Sequence, residues 1–139
     1  MAVRVSSSKI GTGVAFPFEI SAQGASKAGI VDASGRDLII MSIRQIIGTI
    51  ISSRVMRRDF GSRIQDIPFE PADESTVALI RHFVVGAVTR WEKRVRLTGL
   101  LVQFNPTISQ LQIAVTFRIR ATNVEESLSL NVDTSNMGV

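Results

Sequence analysis

Cysteine is absent from this chain of 139 residues, and histidine occurs once, at His82. Without thiols there is no disulfide framework and no thiolate metal site, and a lone imidazole removes the common zinc constellations. No cofactor is implied, and stability has to come from packing. Long apolar runs are missing too. Leu97 to Phe117 is uncharged and about as long as a bilayer span, yet Asn105 and Pro106 break it and Gln103, Gln110 and Gln112 interrupt it. It reads as a hairpin, and no membrane contact is expected. Met1 to Thr12 holds Arg4, Lys9 and several serines around no continuous apolar stretch, so a secretory signal is not expected. Aromatics are few: Trp91 and seven phenylalanines offer little for stacking nucleic-acid bases.

What is present is the make-up of one globular domain. Apolar residues form 45 % of the chain and charged residues 20 %, which suits a buried core and argues against disorder. The formal charge of +4 invites a nucleic-acid reading, because clustered cations displace counterions from phosphates. Thirteen of the sixteen cations are arginines, however, and the planar guanidinium fork suits carboxylates at protein interfaces. An assembly surface therefore ranks ahead of a nucleic-acid-binding one.

Residues 1–36 are expected to form an extended N-terminal segment, 37–133 a single α+β domain and 134–139 a short tail. Gly11, Gly13, Gly24, Gly29 and Gly35 mark turns in the first segment. There Phe16, Phe18 and Ile20 alternate with Pro17 and Glu19, which suits a brief edge strand or an arm laid on another surface. Ser34 and Asp37 form a capping-box-like start. Ile39, Ile40, Ile43, Ile46, Ile47, Ile50 and Ile51 then recur at steps of three and four, a helical stripe despite their β-branched composition. Gly48 within it reads as a close-packing position.

Ser52 to Pro71 reads as a loop dense in arginine: Arg54, Arg57, Arg58 and Arg63. Asp73 can cap a second helix with Glu74 in its first turn. Val77, Ile80, Val84, Ala87, Val88 and Trp91 form its expected buried stripe, with His82 off it as a surface residue. The period then changes. Leu111, Ile113, Val115, Phe117 and Ile119 alternate with Gln112, Ala114, Thr116, Arg118 and Arg120, the pattern of a strand with two unlike faces. Leu100, Val102 and Phe104 precede it across an Asn105-Pro106 turn, and Leu128, Leu130 and Val132 follow, giving an antiparallel meander. The expected fold class is α+β, two helices packed on a small antiparallel three-stranded sheet with an extended N-terminal segment.

Catalytic chemistry finds little footing. Triads need a base beside a nucleophile, and no Gly-x-Ser-x-Gly elbow accompanies His82. Gly11-Thr12-Gly13 reads as a turn; it leads into Phe16-Pro17-Phe18 rather than a helix, so it is not a phosphate loop. A glycosidase needs two carboxyl groups, one held protonated in a poorly solvated site. Glu92 follows Trp91, but Arg90, Lys93, Arg94 and Arg96 crowd it in sequence and favour an ion-paired carboxylate.

One resemblance runs along most of the chain. It starts at Gly11-Thr12-Gly13 and Phe16-Pro17-Phe18, continues through Ser42-Ile43, Thr49, Arg54-Val55-Met56, Phe60-Gly61 and Phe69-Glu70-Pro71, and ends in Trp91-Glu92-Lys93-Arg94 and the C-terminal strands. In this order the sequence resembles the baseplate wedge proteins of contractile phage tails and type VI-like injection machines, a family once labelled lysozyme-like. In that family the helix end reads Glu-Pro-Arg. Here Glu92 and Arg94 match, while Lys93 replaces the stiffer proline; of a family Gly-Glu-Arg segment, only Arg54 carries over.

The resemblance implies a structural wedge subunit that starts the sheath, and no enzyme. Trp91, Glu92, Arg94 and Arg54 would make the wedge contact. Ile113, Val115, Phe117, Leu128, Leu130 and Val132 would offer a sheet edge to the first sheath ring, an open edge being a template for a partner strand. Implied partners are other baseplate wedge proteins and the tail sheath protein, with the tail tube or hub as a further one, and no small-molecule substrate. The implied location is the tail baseplate of a virion or injection particle, assembled in the cytoplasm of the producing cell. Two rival readings remain. One is a basic nucleic-acid-binding module built on Arg54, Arg57, Arg58 and Arg63, marked by salt-sensitive DNA binding; the other is a muralytic glycosidase, marked by a cleared zymogram.

Overall fold

The computed structural model describes residues 10–17, 20–21, 29–30, 32–67, 73–105 and 107–133. The chain divides into two compact units, Met1–Ser42 and Ile43–Val139. In the first, β1 (Thr12–Val14) pairs antiparallel with β4 (Asp32–Ser34), and β2 (Ile20–Ser21) pairs with β3 (Gly29–Ile30). Gly11-Thr12-Gly13 is thus not a turn. Only Gly11 takes a positive φ, +96°, and Thr12 and Gly13 already belong to a strand because Ser34 and Ala33 lie opposite them. Of the edge strand or arm expected over Phe16 to Ile20, Phe16 and Pro17 form a bend and strand pairing begins at Ile20; Phe18 and Glu19 lie outside the described residues.

Helix α1 spans Arg36–Gly48. Ser34 is claimed by its pairing with Thr12, so the helix starts one residue later than a capping box would place it. Gly35, at φ +60°, supplies the carbonyl that accepts the first helical bond, from Ile39 N–H at 3.4 Å. The isoleucine period prevails over their β preference as expected, and Ile39, Ile43, Ile46 and Ile47 are all buried. The stripe ends there. Ile50 lies past the helix and is exposed, and Gly48 is the helix's last residue, exposed, where an added Cβ would meet nothing within 4 Å. Gly48 therefore ends a helix and closes no packing gap.

In the second unit α2 spans Glu74–Trp91. Asp73 caps it: its Oδ1 accepts Thr76 N–H at 2.9 Å. That bond, with those from the Ser75 and Thr76 hydroxyls, holds the Asp73 carboxyl below its ordinary value, since all three favour the charged form. Ile80, Val84, Ala87 and Val88 are buried, Val77 and Trp91 are half-buried, and His82 is exposed. The helix packs on β5 and on a single 3-10 turn, Ile64–Asp66.

The sheet is the expected meander, in the order β5 (Val95–Asn105), β6 (Gln110–Ile119), β7 (Glu125–Asp133). Val102 faces Ile113, which faces Leu130, so one face is apolar and Leu111, Ile113, Val115, Phe117 and Ile119 are buried. Strand β5 begins well before Leu100, because Val95 and Arg96 pair with Ile119 and Arg118 and a bulge between Leu97 and Gly99 absorbs the break in alternation. At the β5–β6 turn Asn105 Oδ1 accepts Thr107 N–H at 3.1 Å, an Asx turn.

Candidate functional site

The stretch from Thr49 to Arg63 holds no helix or named strand, yet it is tied by hydrogen bonds at both ends. Ser62 is buried; its hydroxyl donates to Ile47 O at 2.8 Å, and its N–H donates to Thr49 O at 2.9 Å. These bonds bring the two ends of the loop together. They require Gly61, at φ +119° with its Cα against the Thr49 carbonyl. Further out, Ser52 N–H donates to Arg58 O at 2.8 Å and Phe60 N–H to Arg57 O at 3.1 Å, closing a smaller loop at the tip.

An arginine–aromatic cluster sits on this base. The Arg54 guanidinium lies 4.6 Å over the Phe60 ring, and Phe60 meets Trp91 edge to face at 5.1 Å. Arg57 and Arg90 lie over Trp91 at 5.6 Å and 5.3 Å, and Arg90 pairs with Asp59 at 3.0 Å. Such stacks hold a guanidinium by one face while its N–H edges stay available. Arg54 and Trp91, singled out from sequence, are therefore joined through Phe60. Sequence reasoning gave Phe60, Arg57, Asp59 and Arg90 no part in that contact; its one signal was an aromatic beside a glycine in an arginine-rich loop.

Glu92 and Arg94 form a separate arrangement. Glu92 ends α2, its N–H bonded to Val88 O at 2.9 Å, and its side chain is only 3 % exposed. Arg94 donates Nε to Oε1 at 2.7 Å and Nη2 to Oε2 at 2.6 Å. Two-residue spacing would separate these side chains on a helix; here the backbone has left the helix, and the fork folds back onto the carboxylate. Hydrogen bonding to Glu92 pushes the Arg94 guanidinium still higher than usual. Within this chain the two residues expected at the wedge contact pair with one another. Arg94 O also accepts Arg120 N–H at 2.9 Å, tying the turn to the end of β6. Lys93 Nζ donates to Thr89 O at 3.1 Å, serving the helix C-terminus.

A hollow of about 250 Å³ lies between the loop and α2, with Arg63, Phe83, Gly86 and Trp91 in its wall. Its one lining carboxylate is Asp59, held by Arg90. Among the described residues no three His, Asp or Glu side chains gather as a metal site, and no helix is long and apolar enough to cross a membrane.

The strand residues divide. Ile113, Val115 and Phe117 are buried on β6, the middle strand; a strand paired on both sides has no edge to offer, so these three serve the core. Leu128 is buried, and Leu130 and Val132 are half-buried, on the outer strand β7.

By build, the chain is an α+β domain with two outer strands and an arginine–aromatic cluster on its surface, and its class comes from what it is similar to. The comparisons make that class specific. The family model for "Baseplate wedge protein gp25" matches residues 33–124, and the chain belongs to that family, whose members are structural components of contractile-tail baseplates. Baseplate protein W of Escherichia phage P2 is 31 % identical over 77 residues, which cover 55 % of this chain and 67 % of that protein. A Geobacter sulfurreducens structure with a provisional tail-lysozyme label is 33 % identical, with a TM-score of 0.70 over 76 % of this chain and 96 % of its own. A chain of the anti-feeding prophage baseplate shares the fold, with a TM-score of 0.62 at 20 % identity over 90 % of this chain and 86 % of its own.

Proposed function

We propose that, within the baseplate, this chain contacts other wedge chains around Arg54, Trp91 and the Glu92–Arg94 turn, and starts the tail sheath by offering the outer edge of β7. The observation that carries the sheath half is topological. β7 is an outer strand whose inner side is fully laddered to β6 from Glu125 to Asp133. A sheath segment laid along it would gain backbone hydrogen bonds for register and the Leu128–Leu130–Val132 side for affinity. Val132→Pro removes a backbone donor and is poorly tolerated inside a ladder. Baseplates carrying it are expected to form without sheath, as read by electron microscopy. Full-length sheaths on such particles would exclude this strand as the nucleating edge.

The chain acts in this reading without hydrolysing peptidoglycan. Both oxygens of Glu92, the acid next to Trp91 in sequence, take N–H bonds from Arg94, and donors on both oxygens favour the carboxylate over the protonated acid that a glycosidase needs. Purified protein is expected to leave peptidoglycan uncut in a zymogram at acidic and neutral pH. Clearing that vanishes in Glu92→Gln would overturn this.

A further inference from the structure

Val55 and Met56 stand at the tip of the arginine-rich loop with relative exposures of 88 % and 93 %. A single exposed apolar side chain needs no explanation. Here there are two in succession, on a backbone closed just beneath them by the Ser52 N–H to Arg58 O bond, and bracketed by Arg54, Arg57 and Arg58. Among the described residues none of these three arginines has a carboxylate partner. The neighbouring Asp59 is committed to Arg90. Arg54 and Arg57 lie over Phe60 and Trp91, and Arg54 also donates Nη2 to Thr49 Oγ1 at 3.5 Å, so both guanidinium positions are set in the free chain.

We infer that this tip is an anchor: Val55 and Met56 insert into an apolar pocket on another baseplate protein, and carboxylates around that pocket receive Arg54, Arg57 and Arg58. The inference rests on the wedge reading above and names the chemistry of one of its contacts. Charge complementarity selects the rim, since three clustered cations, two of them already placed against aromatic rings, gain most from bidentate acidic partners. The apolar tip selects a protein over a nucleic acid. Phosphates would engage the arginines but leave Val55 and Met56 facing water, whereas a pocket desolvates both, and methionine adapts to its shape. A loop already fixed in shape also loses little freedom on docking.

Particles assembled with the full-length chain provide the test. Val55→Ser/Met56→Ser alters side chains that touch little, so the free chain should keep its thermal midpoint while its recovery in purified baseplates falls roughly tenfold or more, as for a central anchor. Arg58→Glu should do the same. A benzophenone amino acid at position 56 should cross-link, in intact particles, to one other baseplate protein on a peptide that combines apolar residues with at least two carboxylates. Normal recovery of the double variant overturns the anchor and leaves the wedge reading standing; so does cross-linking to DNA, or to a peptide without acids. Absence of the parent chain from baseplates overturns both. If the double variant loses stability, the cross-linked peptide decides.

Discussion

Gly61→Ala is expected to destabilise the free protein by several kcal/mol. Two terms add. At φ +119° an L-residue is strained, which costs about 1–3 kcal/mol, and the new methyl would run into the Thr49 carbonyl. Forced overpacking of that kind costs a further ~1–3 kcal/mol. The struck atom is backbone, and it is the acceptor of the Ser62 N–H bond at 2.9 Å, so relief by movement breaks the tie that closes the loop. Because total stability is only about 5–15 kcal/mol, a urea titration should show a large fall in midpoint. Gly48→Ala is the matched control: it adds the same methyl at an open helix end and should show no loss. Trp91 is the only tryptophan and touches Phe60, so its fluorescence should also shift before global unfolding in Gly61→Ala. An unchanged midpoint would mean the loop accommodates a side chain and is not built around glycine.

Periodic features of this molecule were legible in its sequence and contact-dependent ones were not. Burial on α2 and β6 repeats at 3.6 and 2 residues, so spacing alone places Ile80, Val84 and Val88 and the alternate residues Leu111 to Ile119 in the core, where they lie. The Asp73 cap is equally local. By contrast, Ser34 looks like a cap until Thr12 pairs with it, and Gly48 looks like a packing residue until its surroundings prove empty. Of the site, the sequence indicated Arg54, Trp91, Glu92 and Arg94 as separate marks. It gave no sign that Phe60 bridges the first two, because that contact spans residues far apart in the chain, or that the last two pair, because the helix ends between them. Alternation showed which face of each strand is buried. It is silent on which strand lies outside, although three strands joined in series place β6 in the middle and leave Ile113, Val115 and Phe117 no edge.

The Glu92–Arg94 pair should respond asymmetrically to truncation. Arg94→Ala leaves a carboxylate that is 3 % exposed without its two charge-assisted bonds, and breaking a buried pair from one side costs about 3–5 kcal/mol. Glu92→Ala is milder, because the Arg94 side chain, 36 % exposed, has a route to water once released. The double variant should then be more stable than Arg94→Ala alone, since it removes the stranded charge. Unfolding of the three variants as free chains measures this order directly. The outcome also decides how any assembly defect is interpreted. If Arg94→Ala weakens the free chain as expected, the pair's first task is to fix the turn between α2 and β5, and missing baseplates in that variant would follow from the fold. If the free chain is untouched by all three substitutions while baseplates still fail, the charges find their partners on neighbouring chains, and the internal pair gives way when the wedge forms.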